Sequence, residues 1–356
     1  MRSALAAGED ELIGWLRRRL DPDLLGDDAA LLHLPPGGRL VATVDSHIAG
    51  VHHPAGLDPA LVARRLVAVN LSDVAATGAE PTYALLALSV PAGYDHRRFF
   101  AGLLPALREH GVVLAGGDLA TTGGRGGEGV AVATLTVLGR VPPGREPLRR
   151  AAARPGDALW VGGALGGSAA GRHLLAAGAR ARSAEGDGAA RLEIGLPSGL
   201  PAGLAAAARS AVARHLLPEP QLALGRALAE VAARRERPGA AIDLSDGLST
   251  DLARLCRESG CGAEVVAADL PAAEALDELA GWLGRPAREL VLSGGEDYVL
   301  LFTLPEGEAP PAGPAVPAAA RRIGRITAGP GPVLVTDGGA EPLIAAGWDH
   351  LAPERG

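Results

Sequence analysis

The sequence contains no lysine, so all 34 of its basic residues are arginines. This absence excludes a Walker-type phosphate loop, which needs a lysine to reach the nucleotide phosphates. It also excludes a lysine general base or a Schiff base. The only two cysteines, Cys256 and Cys261, are too few for a disulfide framework or a zinc site. We expect both to be small buried apolar side chains.

Long apolar runs are also lacking, and none of them is long enough to span a bilayer. The N-terminal segment mixes acidic and basic residues from residue 8 to residue 19, which is not the pattern of a signal peptide. A net charge of -7 argues against a general nucleic-acid binder. Together these features predict a cytoplasmic protein that contacts neither a membrane nor nucleic acid.

What is present indicates a globular enzyme-sized chain of two domains. The sequence is 47% hydrophobic and 21% charged, which is typical of folded proteins. Its length of 356 residues is that of about two domains. Proline, glycine and arginine concentrate at 142–155 and indicate a boundary there. We predict an N-terminal domain at 1–148 and a C-terminal domain at 149–356.

One helical stretch, beginning near Pro59, combines an apolar face with polar side chains. The apolar positions at helical spacing are Leu61, Val62, Leu66 and Val69. Continuing the same rows brings Asn70, Asp73 and Thr77 towards that side. Polar groups on an apolar face need partners or a function. A helix end with a solvated aspartate remains the alternative interpretation.

Further carboxylates recur at the ends of apolar elements. The set is Asp28, Asp45, Asp73, Asp118 and Asp243. Clustered carboxylates repel one another, so a cluster is stable only with cations between its members. Hard oxygen ligands select Mg²⁺ or Ca²⁺, and Mg²⁺ is usually shared with substrate phosphates. We therefore predict a nucleoside triphosphate bound through several magnesium ions, which take over the role of the missing lysine.

Two later segments of the sequence carry acidic residues in predicted turns. A strand ends at Asp243, and Ser245 or Asp246 is predicted to cap a helix that Gly260 stops. The alternative interpretation is that Asp246 is only that cap and Asp251 a solvated helix residue. The small-residue turn at 292–298 carries Glu296 and Asp297. In the first half, the histidines at 47, 52 and 53 match no standard zinc spacing. A single histidine contacting an anionic substrate is the favoured interpretation.

The motifs together resemble those of the thiamine-monophosphate kinase family, within the aminoimidazole-ribonucleotide-synthetase-like superfamily. They follow the order of that family over nearly the whole chain. The matching segments are GDDAALL at 26–32, TVD at 43–45, AVNLSDVAA at 68–76, GGD at 116–118, IDLSDGL at 242–248, LSGGEDY at 292–298 and GWDH at 347–350. Each is weak alone, and the ordered set is specific.

The resemblance implies ATP-dependent phosphorylation of thiamine monophosphate to thiamine diphosphate. It implies an α+β, two-domain synthetase-like fold, in which the N-terminal sheets of a homodimer pair into a central β-barrel. A C-terminal α/β domain completes the active site. The acceptor is already an anionic phosphate oxygen, so no side-chain base is predicted and in-line transfer relies on positioning and charge neutralisation.

The resemblance also implies roles for individual residues. The implied magnesium ligands are Asp28, Thr43, Val44, Asp45, Asp73, Asp118, Asp243 and Asp246. Those implied for ATP are Gly117, Asp118, Arg145 and Ser245, and those for thiamine monophosphate are His52, Glu296 and Trp348. The family commonly has threonine where this chain has Val44, which can offer only its backbone carbonyl. Trp348 would stack on the cationic thiazolium ring.

Two alternatives to this function stay open at this point. One is another ATP-dependent enzyme of the same superfamily, similar to aminoimidazole ribonucleotide synthetase, which would share the acids but not the GWDH segment. The other is a non-catalytic nucleotide- or metal-binding module. The number of mutually repelling acids disfavours that module, because they are costly without several metal ions to bind.

Overall fold

The computed structural model describes residues 15–16, 18–19, 32, 36–123, 129–184, 192–313, 316 and 320–347. The predicted site residues Asp28 and Trp348 lie outside these ranges. The contacts divide the chain into two units. Unit 1 comprises Met1–Val74, Glu80–Pro143 and Ala181–Glu193, and unit 2 comprises Ala75–Ala79, Gly144–Arg180 and Ile194–Gly356. The domain boundary at residues 148 and 149 stays a prediction, since each unit combines several segments.

Unit 1 contains a four-stranded sheet in the order β1-β4-β2-β3. Its strands are β1 (Arg39–Ile48), β2 (Glu80–Pro91), β3 (Val113–Thr122) and β4 (Val132–Val141). The β4 strand runs antiparallel to both neighbours, whereas β2 and β3 are parallel. The connection between these parallel strands is α2 (His96–Glu109), and α1 (Pro59–Thr77) precedes β2.

The two faces of this sheet differ in burial. On one face the β4 residues Ala133, Leu135 and Val137 are buried, in strict alternation along the strand. The opposite face, called here the outer face, exposes large apolar side chains. They are Leu40, Val44, Leu85 and Val113, which are 36–58% exposed. Val44 and Leu85 lie in one row across the sheet, because each pairs with Thr136 of β4.

The helix predicted to begin near Pro59 is confirmed as α1, with proline at its first position, where a missing N–H costs nothing. Its four predicted apolar positions are at most 4% exposed. The side chain of Asp58, just before the helix, accepts a hydrogen bond from the backbone N–H of Ala60 at 3.0 Å. The helix is nonetheless buried on nearly every side, because Ala63, Leu71 and Ser72 are fully buried as well, so the predicted positions mark only part of its buried surface.

Asp58 also joins three separate segments of unit 1. Its carboxylate accepts two hydrogen bonds from the Arg98 guanidinium of α2, at 2.9 and 2.7 Å, and one from the Ser183 N–H at 2.9 Å. Burial acts to raise the pKa of Asp58. The hydrogen bonds from Arg98, Ser183 and Ala60 outweigh it, so the pKa is lowered from its ordinary value.

We expect Asp58→Ala to lower the free energy of unfolding by about 2–3 kcal/mol at pH 7, because the charge-assisted hydrogen bonds from Arg98 and the hydrogen bonds from the Ser183 and Ala60 N–H groups are lost. The lowered pKa means that the stabilisation is complete above the unfolded-state pKa and is lost as pH falls through the folded-state pKa. Urea unfolding at pH 7 and pH 4 measures this. Equal stability of variant and wild type at pH 7 would contradict it.

Unit 2 contains a seven-stranded sheet in the order β13-β12-β9-β11-β5-β10-β8. Its strands are β5 (Asp157–Val161), β8 (Ala241–Asp243), β9 (Gly262–Val266), β10 (Leu300–Pro305), β11 (Arg321–Thr327), β12 (Gly331–Thr336) and β13 (Gly339–Pro342). Only the β9–β12 pair is parallel. A separate two-stranded sheet pairs β6 (Arg180–Ser183) with β7 (Leu192–Gly195).

Helices cover the connections of unit 2. They are α3 (Gly167–Ala176), α4 (Ala205–Leu216), α5 (Leu222–Arg234), α6 (Leu248–Ser259), α7 (Leu276–Leu283) and α8 (Ala287–Ser293). Gly260 ends α6, as the sequence predicted, and its φ of 63° lies in the left-handed region. Cys256 and Cys261 are 1% and 5% exposed, which confirms that both are buried. No helix in the described ranges is long and apolar enough to cross a membrane.

Candidate active site

In unit 1, the structure brings two of the predicted magnesium ligands together. The Thr43 hydroxyl of β1 donates a hydrogen bond to Asp73 Oδ2 of α1 at 2.5 Å. Asp45 lies two residues further along β1, on the same face as Thr43 because side chains alternate along a strand. Val44 therefore points to the outer face, where its side chain is 58% exposed. Only its backbone carbonyl remains available as an oxygen ligand.

Asn70 precedes Asp73 by nearly one helical turn and is fully buried. Its Nδ2 donates to the Leu66 carbonyl at 2.8 Å, which fixes the orientation of the amide. Its Oδ1 is buried and has no hydrogen-bond partner among the described residues. A buried acceptor without a partner requires an explanation, such as a bound water or ion. The sequence predicted a polar side chain on an apolar helical face here, and the Asn70 side chain is indeed buried with one acceptor unpartnered among the described residues.

Asp118 lies on the other face of the sheet. It pairs with Ala87 of β2 and is exposed, as is Leu85 two residues before Ala87. It therefore shares the outer face with Leu85 and not the Thr43 and Asp45 face. Within the described residues, no group of three or more His, Cys, Asp or Glu side chains is placed to hold a metal ion. Asp28 lies outside the described residues.

Gly117 lies beside Asp118 at the point where β3 approaches β2 most closely. A Cβ atom added to Gly117 would lie 1.9 Å from the carbonyl oxygen of Leu86. Only glycine fits here, since any side chain would separate the two strands. The glycine of this motif is thus explained by sheet packing, and its contact with ATP remains a prediction.

The histidines at 47, 52 and 53 form a ring cluster in unit 1. The His47 ring stacks on His52 with 5.7 Å between centroids, and its centroid lies 6.2 Å from that of His53. His52 Nδ1 accepts a hydrogen bond from the Ile48 N–H at 3.1 Å. The neutral His52 ring therefore carries its proton on Nε2. Burial, followed by the charge of Arg65, lowers the pKa of His47 well below its usual range.

In unit 2, two loops that carry predicted site residues are joined by backbone hydrogen bonds. The Glu296 N–H donates to the Ser245 carbonyl at 2.7 Å, and the Tyr298 N–H donates to the Leu244 carbonyl at 2.9 Å. Asp243, at the end of β8, is 3% exposed. These bonds place the 243–247 loop beside the 293–298 loop, an arrangement that sequence order could not reveal.

The 293–298 loop contains left-handed backbone at residues other than glycine. Glu296 has a φ of 61° and Tyr298 a φ of 51°, beside Gly295 at 68°. Such conformations cost of order 1–3 kcal/mol for each residue and persist only where the surroundings enforce them. The hydrogen bonds to Leu244 and Ser245 supply that enforcement.

The prediction that Ser245 or Asp246 caps α6 is wrong. The residue at the cap position is Gly247, which has no side chain to bond with. Instead, Asp251 inside the first turn accepts hydrogen bonds from the N–H groups of Asp246 and Gly247, at 2.9 and 3.1 Å. Asp251 is fully buried, so the alternative interpretation of Asp251 as a solvated helix residue is also wrong. The helix start lies in the interior, and its free N–H groups recruit the nearest carboxylate.

Arg254 is the residue of this site that sequence analysis missed. It forms ion pairs with Asp246 and, at 2.8 Å, with Asp251. Burial and the neighbouring Asp246 charge raise the pKa of Asp251 to about 6. The i, i+3 spacing of Asp251 and Arg254 was a visible signal, because such residues are neighbours on a helix. Asp246, a predicted magnesium ligand, is thus already paired with a cation.

Two further predicted residues have polar partners within unit 2. Arg145 forms an ion pair with Glu230 of α5 at 3.2 Å, with about a third of its side chain exposed. Glu296 Oε2 lies 3.4 Å from His215 Nδ1 and 3.9 Å from Arg172 Nε. Its neighbour Asp297 accepts hydrogen bonds from the N–H groups before and within the first turn of α3. Burial raises the pKa of Asp297 to about 6.

Comparison with known proteins assigns both halves of the chain. Residues 26–141 match the AIR synthase related protein N-terminal domain, and residues 154–337 match the corresponding C-terminal domain. The thiamine-monophosphate kinase of Escherichia coli O157:H7 is 37% identical over 360 residues, covering 98% of this chain and 99% of that protein. That of Corynebacterium glutamicum is 32% identical, covering 96% and 92%.

Solved structures agree with these matches. The thiamine-monophosphate kinase from Stenotrophomonas maltophilia K279a has a TM-score of 0.71 and 33% identity, covering 93% of this chain and 96% of its own. AaThiL complexed with AMPPCP and TMP has a TM-score of 0.69 and 26% identity, covering 97% of both chains. The two-domain fold with mixed α/β content is confirmed. The chain belongs to the thiamine-monophosphate kinase family, as its motifs predicted.

Proposed function

We propose that this protein transfers the γ-phosphoryl group of ATP to the phosphate of thiamine monophosphate, producing thiamine diphosphate. The observation that carries this proposal is the contact between Thr43 and Asp73. It joins two separate motifs of the family, TVD at 43–45 and NLSD at 70–73, through their oxygen atoms. The chain has these oxygens and no lysine, so cations other than lysine must balance the nucleotide charge.

The unit 1 residues around the contact between Thr43 and Asp73 fit magnesium, since they offer only hard oxygen donors. They include the Thr43 hydroxyl, the Asp45 and Asp73 carboxylates and the buried Asn70 Oδ1, which has no described partner. Around this contact the proposed ligands are Thr43, Val44 through its carbonyl, Asp45 and Asp73. Asp28, Asp118 of the outer face, and Asp243 and Asp246 of unit 2 stay proposed ligands on the resemblance alone. Bound magnesium would neutralise charge on the transferring phosphate.

The chain's own residues would bind and orient the two substrates. We propose that Gly117, Asp118, Arg145 and Ser245 contact ATP. For thiamine monophosphate, His52 would donate its Nε2–H to the phosphate, since its Nδ1 is occupied by the Ile48 N–H. Glu296 would face the positively charged thiazolium, and Trp348 would stack on it.

No side chain needs to remove a proton in this reaction, because the acceptor oxygen of a phosphate monoester is ionised near neutral pH. We propose direct in-line attack of that oxygen on the γ-phosphorus, with the ADP oxygen leaving on the opposite side. The protein contributes alignment of the two phosphates and stabilisation of the charge that develops between them.

The direct test is incubation with Mg-ATP and thiamine monophosphate, with thiamine diphosphate and ADP separated by chromatography. We expect the two products in equal amounts. Thiamine is the matched control, because it shares both rings but lacks the acceptor phosphate. ADP release without thiamine diphosphate would contradict the proposal. Radiolabelled phosphate retained on the protein after mixing with labelled ATP would contradict direct transfer.

We also propose that the protein is a homodimer in which two unit 1 sheets pair into a closed β-barrel. The outer face supports this, since it exposes Leu40, Val44, Leu85 and Val113 on strands that are otherwise well packed. Apolar patches on a sheet face are costly in water and are commonly covered by a partner. A second copy of the same chain offers a matching apolar face.

A further inference from the structure

Two side chains, Arg172 and His215, approach the Glu296 carboxylate, and a third, Ser168, contacts His215; the three are called here the Glu296 cradle. They come from α3 and α4, two helices of unit 2 that the resemblance gave no role. His215 Nδ1 lies 3.4 Å from Glu296 Oε2, and Arg172 Nε lies 3.9 Å from the same oxygen. The imidazole and the guanidinium therefore both approach the same oxygen of the carboxylate.

The His215 ring is held firmly in this position. It is 2% exposed, and its Nδ1 also lies 3.2 Å from the hydroxyl of Ser168, which is fully buried. The two helices touch closely here, since a Cβ added to Gly171 would lie 2.1 Å from the Ala211 carbonyl and 3.0 Å from the His215 Cβ. The ring has little room to turn away from Glu296.

The backbone of Glu296 is fixed as well. Its φ of 61° is maintained by the N–H bond to Ser245, and Asp297 is anchored through the N–H groups of Gly166 and Ser168. The Glu296 side chain is nonetheless 23% exposed. The carboxylate of Glu296 is thus accessible, while its backbone and one of its oxygens are restrained. This is the arrangement expected of a preorganised binding group.

We propose that His215 is a positioning residue of the thiamine monophosphate subsite, holding the Glu296 carboxylate in the orientation that faces the cationic ring of the substrate. This inference rests on the proposed function and deepens it. His215 touches no reacting atom in this role. Its contribution is to restrict Glu296 before binding, so that the substrate need not select one orientation among several.

The test compares three variants of His215 by steady-state kinetics. Asparagine places an amide nitrogen as many bonds from Cβ as histidine Nδ1, leucine removes the donor while keeping an apolar side chain, and glutamine places its nitrogen one bond further out. We expect His215→Leu and His215→Gln to raise the KM for thiamine monophosphate about tenfold, with the KM for ATP changed less than twofold. His215→Asn should restore most of the wild-type KM.

A double variant adds an independent readout. If His215 acts through Glu296, the KM increase in Glu296→Gln combined with His215→Leu should equal that of Glu296→Gln alone, because the residues share one interaction. Additive increases, equal changes in both KM values, or a normal KM in His215→Leu would each overturn the inference. If the wild-type protein does not form thiamine diphosphate, the proposed function fails first and the inference fails with it.

Discussion

Asp73→Asn is expected to reduce thiamine diphosphate formation by at least about 10²–10³-fold while the protein stays folded. The amide oxygen can still accept the hydrogen bond from the Thr43 hydroxyl, so the contact between β1 and α1 is preserved. What disappears is the negative charge on an oxygen-rich surface proposed to hold magnesium. Loss of one charged ligand weakens the binding of the ion and the alignment of the nucleotide phosphates.

The measurement is kcat at saturating Mg-ATP and thiamine monophosphate, with thermal unfolding run in parallel. Asp337→Asn is the matched control, because it makes the same chemical change in the exposed turn between β12 and β13. Its turnover should equal that of the wild type. Turnover of Asp73→Asn within a few-fold of the wild-type value would refute a metal-binding role for Asp73.

Leu85→Arg is expected to halve the molecular mass in solution, because it places a charge at the centre of the outer face. Leu85 is 37% exposed there and lies in one row with Val44 across the sheet. Burying an unpaired guanidinium against an apolar partner face costs several kcal/mol for each copy. A symmetric interface suffers this cost twice, which is enough to dissociate most dimers of moderate affinity.

Sedimentation velocity or light scattering measures this change. Ala101→Arg serves as the control, since Ala101 is exposed on α2 in the same unit and away from the sheet. That variant should keep the mass of the wild type. A wild-type mass of one chain, or a Leu85→Arg variant with the mass of two, would contradict the proposed pairing of sheets.

Local patterns in the sequence predicted the elements but not which side of them faces the site. The α1 helix followed from helical spacing, and the strand end at Asp243 followed from the change from apolar to polar residues. The position of Asp118 could not follow in the same way. A bulge between Ala84 and Leu85 shifts the β2–β3 register, and such a shift by one residue exchanges the faces of a strand.

The α6 start shows a second limit of sequence analysis. Three acids and two serines precede or enter this helix, and capping preferences favour the polar residue nearest the expected helix start. The structure selects Asp251, because the loop folds so that the N–H groups of Asp246 and Gly247 point at its side chain. Tertiary folding decides which carboxylate is buried, and spacing along the chain does not contain that information.

At Glu296, the backbone conformation and the proposed substrate binding favour different residue types. Glycine or asparagine would adopt a φ of 61° more readily than glutamate, so a library selected only for folding would drift towards those residues at this position. Under the substrate-binding role proposed for Glu296, selection for growth without supplied thiamine would retain the acid. Residue 296 therefore marks a place where ancestral or consensus redesign for heat resistance risks an inactive product.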